Sequence, residues 1–279
     1  MSLGVNMLIE VGTGAVVLPL GLTLTGLIEQ VEVTDVADGQ SGFRITFSGE
    51  RSDAGLDYAV LADGRMAMFN RVRITVAIGA SWSVLIDGLI TNVWLDPGRN
   101  SGGRVVISGQ DLSAAMDREE MTLTWPGMNE ADIVTAIIAK YVTYAIGPEI
   151  DAGGPRQSPT MATPVQRGTD LAYVYELADR FGYLFKIFSG TPNIAYWGPG
   201  VREALPAPAL SVDTGTLGNV NHLTFTNDGT AATVVTGMIQ DPTTGIETPV
   251  AALNPALPPL ARSSAFLNPT LVRKMALAL

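Results

Sequence analysis

The most constraining feature of this sequence is an alternation of apolar and polar side chains that runs, with glycine-rich interruptions, from Met7 to about Gln110. The segments RVRITVAIG (residues 71–79) and GFRITFSG (residues 42–49) both place an aliphatic or aromatic side chain at every second position. A period of two puts alternate side chains on opposite faces of a strand, so each segment has one face for a core. The alternation predicts several short antiparallel strands in a small barrel or sandwich.

Helical patterns replace this alternation after residue 110. DLSAAMDREE predicts a short helix capped by Asp111, and NEADIVTAIIAKYV predicts a longer one capped by Asn129. In QRGTDLAYVYELADRFGYLFKI, Thr169 is the predicted N-cap and Asp170 lies where the helix dipole favours an anion. Gly182 is predicted to end this helix in the left-handed conformation that glycine adopts at low cost.

Strand patterns return in the last third of the chain. YLFKIF (residues 183–188) predicts a strand and NIAYWG its hairpin partner, and a further hairpin is predicted to turn at residues 227–229. The loop predicted from about residue 147 to 164 and the connection predicted at residues 249–264 are both rich in proline. NPTLVRKMALAL, residues 268–279, predicts a helix that begins at Asn268.

This order of patterns predicts a fold that is mainly β with an α+β insertion. We expect a first β domain at residues 1–110, a helical α/β insert at residues 111–187 and a second β domain at residues 188–279.

Composition and charge exclude several classes of function. The formal net charge is −10, which argues against a nucleic-acid partner. The absence of cysteine excludes disulfides and zinc sites built from cysteine. Residues 11–28 are uncharged, but their glycines and Pro19 favour strands over a membrane helix, so no direct membrane insertion is expected. Only 16% of the residues are charged, which predicts apolar surface for subunit contacts.

Candidates for catalysis are few. His222 is the only histidine, and its alternating neighbourhood is typical of a surface residue. Ser211 and Asp213 are near it in sequence, yet no GxSxG motif supports a catalytic triad. The acidic cluster at residues 117–120, interrupted by Arg118, is typical of a solvated helix end. We therefore expect no catalytic, cofactor-binding or metal site.

Three segments together resemble the phage late control gene D family, the baseplate hub proteins of contractile tails. They are RITVAIGASWSVLIDGLITNV, SGQDLSAAMDREEMTLTWPGMNEADIVTAIIAKY and QRGTDLAYVYELADRFGYLFKI. VgrG-like type VI secretion spike proteins and the hubs of phage-like contractile injection systems share this N-terminal module. The family pattern combines G-x-D-x-S after a barrel strand with Q-x-x-T-D, L-A and G-Y around a helix. The matching positions here are Gly109, Asp111, Ser113, Gln166, Thr169, Asp170, Leu177, Ala178, Gly182 and Tyr183.

The resemblance implies a structural role without catalysis or a cofactor. In such hubs each chain carries two barrels and an inserted helical layer, and three chains close into a ring that joins the sixfold inner tube to a trimeric spike. It therefore implies a homotrimeric symmetry adapter whose two β domains, residues 1–110 and residues 188–279, are small antiparallel β-barrels. The second barrel is incomplete if the chain is a truncated relative. The implied partners are the inner tube protein, the spike protein and other baseplate components. Assembly is expected in the cytoplasm of the producing bacterium, into a virion or another tail-like particle; phage and injection system both stay open.

Family members continue past a helix like the last one predicted here, so a truncated relative or a missing continuation is expected. The residues expected to serve as interface or structural positions are Arg118, Trp125, Tyr173, Tyr175, Thr169, Asp170 and Gly182. Trp125 is expected in the core or at an interface.

Two other classes of function stay open. A tail-tip protein that binds a receptor or carbohydrate would need exposed aromatic side chains near polar loops, and Trp82 and Trp197 are the candidates. A peptidoglycan hydrolase component would need an acid–base pair or a zinc site, for which the sequence offers no convincing set of residues.

Overall fold

The computed structural model divides the chain into two compact units, residues 1–200 and residues 201–279. The chain is mainly β, as the alternation predicted. The division into three domains at residues 110 and 187 stays a prediction. The residues that the structure describes are 5–49, 58–79, 81–97, 103–151, 163–200, 211–212, 220, 222, 224, 226, 234–240, 246–251 and 272–276.

Seven strands of the first unit form one antiparallel sheet, called here the large sheet. The strands are β1 (Val5–Thr13), β2 (Val16–Pro19), β3 (Ile28–Thr34), β4 (Gly42–Gly49), β5 (Arg71–Ile78), β6 (Ser81–Asp96) and β7 (Gly103–Asp111). Their order across the sheet is β2-β1-β5-β6-β7-β4-β3. Within the described residues no strand pairing joins the outer strands β2 and β3, so a closed first barrel stays a prediction.

The inward side chains of the large sheet share one apolar core. Two short helices, α1 (Leu22–Thr25) and α2 (Ala59–Ala62), each contribute one buried side chain to it. The predicted single apolar face of β5 is wrong beyond Ile74, because the buried positions change there to Thr75 and Ala77. This change coincides with a bulge in the pairing of β5 with β6. The core residues are Ile9, Val11, Leu20, Leu24, Leu27, Phe43, Ile45, Phe47, Val60, Met66, Val72, Ile74, Ile86, Ile90, Val105 and Ile107.

The elements from Leu112 to Pro199 form a second core, and we call them the α/β layer. They begin with a 3-10 helix (Leu112–Asp117) in place of the predicted short α-helix. The other elements are β8 (Met121–Thr124), α3 (Glu130–Ala139), a 3-10 turn (Val142–Tyr144), β9 (Ile146–Ile150), β10 (Val165–Gly168), α4 (Asp170–Phe181), β11 (Tyr183–Phe188) and β12 (Asn193–Pro199).

Helix α4 packs against a three-stranded sheet with the order β11-β12-β9. The predicted hairpin of β11 with β12 is confirmed, since the two strands pair antiparallel from Tyr183 to Phe188. Strand β9 then pairs parallel to β12. The loop predicted from about residue 147 is therefore wrong at its start, where residues 146–150 form a strand; residues 152–162 lie outside the described part.

The described strands of the second unit are β13 (Val234–Gln240), β14 (Glu247–Ala251) and β15 (Val272–Ala276). The helix predicted for residues 268–279 is wrong over residues 272–276, which pair parallel to β13. The proline-rich connection is also wrong at its start, because β14 extends to Ala251. Backbone pairing with β13 overrides the local helical preference of VRKMA. Residues 234–240, which follow the predicted hairpin turn at 227–229, form β13, and β13 pairs with β14 and β15. The turn itself lies outside the described residues, so that hairpin stays a prediction.

The caps of α4 are those that the sequence predicted. Thr169 Oγ1 accepts a hydrogen bond from the backbone N–H of Ala172 at 3.2 Å, and Asp170 occupies the first turn. Gly182 ends the helix with φ 63°, and strand β11 starts at the next residue. Helix and strand are thus joined through a single left-handed residue.

We predict that Gly182→Ala lowers the free energy of unfolding by about 1–2 kcal/mol, the cost of a left-handed non-glycine residue. A Cβ at this position meets no atom within 4 Å, so the backbone conformation alone supplies this cost. Gly200→Ala is the matched control, because its Cβ also meets no atom within 4 Å and its φ lies outside the left-handed region. Urea unfolding measures both variants, and equal effects would contradict the assigned role of Gly182.

Candidate functional site

A buried cluster of charged side chains joins the large sheet to the α/β layer. Arg71 on β5 and Asp87 on β6 both have 0% exposed area. The two side chains form a bidentate pair, with Nε–Oδ1 and Nη2–Oδ2 distances of 2.7 Å each. Arg73 donates a further hydrogen bond from Nε to Asp87 Oδ2 at 2.9 Å. Such charge-assisted, bidentate bonds are the strong and directional ones in proteins.

Two residues of the α/β layer complete this cluster. Asn193, the first residue of β12, donates from Nδ2 to Asp87 Oδ2 at 3.1 Å and to the carbonyl of Tyr144 at 3.2 Å. Ser189 Oγ accepts the backbone N–H of Asp87 at 2.9 Å. One carboxylate therefore fixes two strands of the large sheet and the start of β12. No sequence motif predicted this cluster; its local signal in the sequence is the single acid in the apolar run SVLIDGLI.

A second cluster explains the G-x-D-x-S pattern. Asp111 accepts the backbone N–H groups of Ser41 at 2.6 Å and Ser113 at 2.9 Å, which ties the start of the 3-10 helix to the β3–β4 connection. Burial raises the pKa of Asp111 above its ordinary value, and these hydrogen bonds oppose the rise. At Gly109 a Cβ would lie 2.1 Å from the carbonyl oxygen of Leu89, so only glycine fits.

Lys186 makes a third connection between the two parts of the first unit. Its side chain, on β11, is buried and pairs through Nζ with Asp35 Oδ1 at 2.6 Å. It also donates to the carbonyl of Val36. Asp35 in turn accepts a hydrogen bond from Ser41 Oγ at 2.7 Å. The β3–β4 connection is therefore held by β11 as well as by Asp111.

The Q-x-x-T-D pattern corresponds to a chain of hydrogen bonds that begins at Trp125. The indole Nε1 of Trp125 donates to Gln166 Oε1 at 3.2 Å, and Gln166 Nε2 donates to Asp170 Oδ1 at 2.7 Å. Asp170 also accepts from Lys140 Nζ at 3.0 Å and from the hydroxyl of Tyr141 at 2.8 Å. Burial, together with the hydrogen bond to Asp170, raises the pKa of Tyr141. This network fixes the start of α4 to α3 and β10.

The other residues singled out from the sequence occupy different surroundings. Thr169 donates from Oγ1 to Asp117 Oδ1 at 2.7 Å. Tyr173 is 1% exposed and lies in the core of the α/β layer. Tyr175 is half-buried and meets Phe185 edge-on, with ring centroids 5.7 Å apart. The exposed Arg118 lies 4.5 Å from the ring centroid of Phe69. The structure therefore brings Trp125 and Asp170 into one network with Lys140, and their role at an interface stays a prediction.

Both outer strands of the large sheet leave core-facing apolar side chains uncovered. On β2, Leu18 pairs with the buried Val11, yet Val16 and Leu18 are each 65% exposed. On β3, Val31 and Val33 pair with the buried residues Ile45 and Phe43 of β4 and are only partly covered. The core of the large sheet thus reaches the surface at two edges. The residues of these edges are Val16, Leu18, Val31 and Val33.

Of the two tryptophans that the carbohydrate-binding hypothesis requires to be exposed, one is buried and one is exposed. Trp197 is 2% exposed, so its candidacy as an exposed aromatic platform is wrong: Phe181 and Tyr183 cover its ring edge-on. Trp82 is 62% exposed, as that hypothesis requires. Trp94, which the sequence analysis did not select, is 48% exposed on the outer face of the large sheet.

The described residues give no sign of a metal site or a membrane helix. They contain no group of three or more histidine, cysteine, aspartate or glutamate side chains arranged to hold a metal ion. None of their helices has the length and apolar composition needed to cross a membrane. His222 is exposed and lies 2.9 Å from Thr224 Oγ1 through Nε2.

Comparison with known proteins identifies the fold but no sequence family. No protein-family model matches the chain, and no curated protein matches it. A tail protein from Neisseria meningitidis MC58 superposes with a TM-score of 0.59 at 12% identity, over 98% of this chain and 72% of that one. The 43 kDa tail protein of prophage MuSo2 from Shewanella oneidensis gives a TM-score of 0.54 at 14% identity, over 96% of this chain and 71% of that one.

The chain has the fold of these tail proteins. At this level of identity the likeness concerns the fold alone. Three groups of contacts, around Asp87, Asp111 and Lys186, link the large sheet to the α/β layer, and we call them the three clusters.

We predict that Asp87→Ala lowers the free energy of unfolding by about 3–5 kcal/mol, because it leaves Arg71 buried without its counter-charge. Asp96→Ala on the same strand is the control, since that carboxylate is exposed and its loss is expected to cost about 1 kcal/mol or less. Urea unfolding compares the two variants. Similar losses would contradict the role assigned to Asp87.

We also predict that Asp170→Ala costs about 2–3 kcal/mol, because Gln166 and Tyr141 lose a charged acceptor. Asp132→Ala tests the helix-dipole contribution alone, since Asp132 lies exposed in the first turn of α3. Thermal unfolding of both variants separates the two effects. A loss for Asp132→Ala as large as that for Asp170→Ala would show that the buried hydrogen bonds add nothing.

Proposed function

We propose that this protein is a structural component of a phage-type tail or tail-like particle, and that it acts as a homotrimeric baseplate hub. In this role it joins the inner tube protein to the spike protein and contacts other baseplate components. The likeness of fold to two tail proteins and the sequence pattern around Gly109, Gln166 and Asp170 support the proposal. The chain works by shape and performs no reaction.

The observation that carries the proposal is the pair of uncovered edges. Val16 and Leu18 extend the core at one edge of the large sheet, and Val31 and Val33 extend it at the other. The two edges are different surfaces, so a contact between β2 of one copy and β3 of the next is heterologous. Repeated heterologous contacts generate a closed ring when the rotation between copies allows it. Covering these side chains removes apolar surface from water.

The three clusters support a role in which the chain transmits force. Asp87, Asp111 and Lys186 each connect the large sheet, or its β3–β4 connection, to the α/β layer through buried or partly buried hydrogen bonds. The most exposed partner is Asp35, whose side chain is 69% exposed where it meets the buried Lys186. An adapter between a tube and a spike keeps its geometry under load only if its layers do not slide on each other. Buried, charge-assisted hydrogen bonds resist sliding because each broken bond leaves an unpaired group in the core.

Cysteine cross-linking tests the ring, and the chain has no native cysteine to interfere. We expect the double variant Leu18→Cys/Val33→Cys to form disulfide-linked dimers and trimers on mild oxidation, because paired strands bring Cα atoms within about 4.4–6.8 Å. Other double variants, such as Val16→Cys/Val31→Cys, identify which residues of β2 and β3 face each other, because the best-aligned pair cross-links most. The matched control is Leu18→Cys/Asp179→Cys, which keeps one edge position and moves the second cysteine to the exposed face of α4.

Mass photometry of the unmodified protein accompanies this test. A trimer at micromolar concentration is expected. A stable monomer would overturn the hub proposal, whereas a trimer without edge cross-links would overturn only the choice of β2 and β3 as its contacts.

A further inference from the structure

A shallow groove lies on the outer face of the large sheet, opposite its core. Its volume is ≈ 680 Å³, within the range of about 300–1,000 Å³ that is usual for small-ligand sites. The strands β3, β4, β7 and β6 form its floor. Its lining residues are Glu29, Gln30, Glu32, Arg44, Thr46, Trp94, Leu95, Asp96, Arg104 and Val106.

Strand register orders these side chains into rows across four strands. The central row consists of Trp94, Val106, Thr46 and Gln30, which are successive Cα partners. The row beside it places Glu32 opposite Arg44. Neighbouring strands are about 4.8 Å apart. The apolar Val106 therefore lies beside Trp94 in the central row, and the polar side chains of Thr46 and Gln30 follow at that spacing.

Contacts within the groove hold its polar groups in place. The guanidinium of Arg44 lies 5.8 Å from the ring centroid of Trp94, a cation–π contact that leaves the indole 48% exposed. Arg104 pairs with Glu29 at 3.0 Å, and Gln30 donates to Glu32 at 2.8 Å. All these groups stand on strands of the large sheet, so the backbone floor of the site is formed before any ligand arrives. A preformed site loses less conformational entropy on binding.

The charge of the groove limits its ligand. Three carboxylates and two guanidiniums line it, which leaves a formal charge of −1 on a chain of net charge −10. Polyanions are therefore disfavoured. A ligand that fits must present one apolar face to Trp94 and several hydroxyl groups to the donors and acceptors around it. A hexose ring has this form, because its axial C–H bonds meet the negative face of an indole while its hydroxyls point outward.

We propose that this groove binds a neutral hexose oligosaccharide, with Trp94 as the stacking platform and Glu32, Arg44 and Gln30 as hydrogen-bonding groups. This site goes beyond the hub function and does not depend on the trimer. It gives the protein a second property, the recognition of a neutral surface glycan, on a face that the α/β layer leaves open.

Titration of the full chain with maltohexaose, cellohexaose and N-acetylglucosamine hexamer tests the proposal, followed by tryptophan fluorescence and saturation-transfer NMR. We expect at least one of the three to bind with a dissociation constant of about 1 mM or tighter. Trp94→Ala should weaken that binding about tenfold or more, and Trp94→Phe should retain most of it. Oligogalacturonate, the anionic probe, should bind more weakly than the neutral probe.

Trp82→Ala is the matched control, because Trp82 is a second exposed tryptophan on the same strand and is not part of the groove lining. The affinity of the Trp82→Ala variant for the neutral probe should equal that of the unmodified chain. Far-UV circular dichroism checks that the Trp82→Ala and Trp94→Ala variants both fold. The proposal is overturned if none of the neutral probes binds, if Trp82→Ala and Trp94→Ala have equal effects, or if oligogalacturonate binds best.

Discussion

The buried carboxylate of Asp87 is the interaction on which the arrangement of the first unit depends. It accepts hydrogen bonds from Arg71 and Arg73 on the neighbouring strand β5 and from Asn193 of the α/β layer. Desolvating these charges costs free energy, so the cluster adds less to net stability than its many bonds suggest. Its value lies in specificity, because any other register of β5 against β6 would leave a charge unpaired in the core. Any other position of β12 would leave the buried amide of Asn193 without its two acceptors.

The two other connections follow the same principle at different places. Asp111 orders the 3-10 helix after β7, and Lys186 reaches the β3–β4 connection from β11. The sequence pattern that suggested a tail hub therefore has a physical basis in joints between layers. Inside the α/β layer, Asp170 at the start of α4 accepts hydrogen bonds from Gln166 and Lys140 and so connects α4 to neighbouring elements. In the proposed hub, joints of this kind would keep the layers from sliding on each other.

The surfaces of the large sheet differ in chemistry because the α/β layer does not cover all of them. Its two edges are apolar, with Leu18 and Val33 at the ends of an uncovered core, and they suit another copy of the same sheet. Its outer face around Trp94 is polar, with donors and acceptors on rigid strands, and it suits a small polar ligand. One sheet would thus provide both the proposed assembly edges and the proposed binding groove, with strand β3 contributing to each.

The sequence by itself determined the local features, including the caps of α4 at Thr169 and Gly182 and the strands of the large sheet. These depend on contacts within a turn or on a repeated period, both of which a single stretch of chain contains. Tertiary structure decided the rest. Residues 272–276 (VRKMA) form a strand because their backbone pairs with that of β13. Trp197 is buried and Trp94 is exposed because neighbouring side chains pack over Trp197 and leave Trp94 largely uncovered. Pairing and burial arise between residues far apart in sequence, so no local pattern contains them.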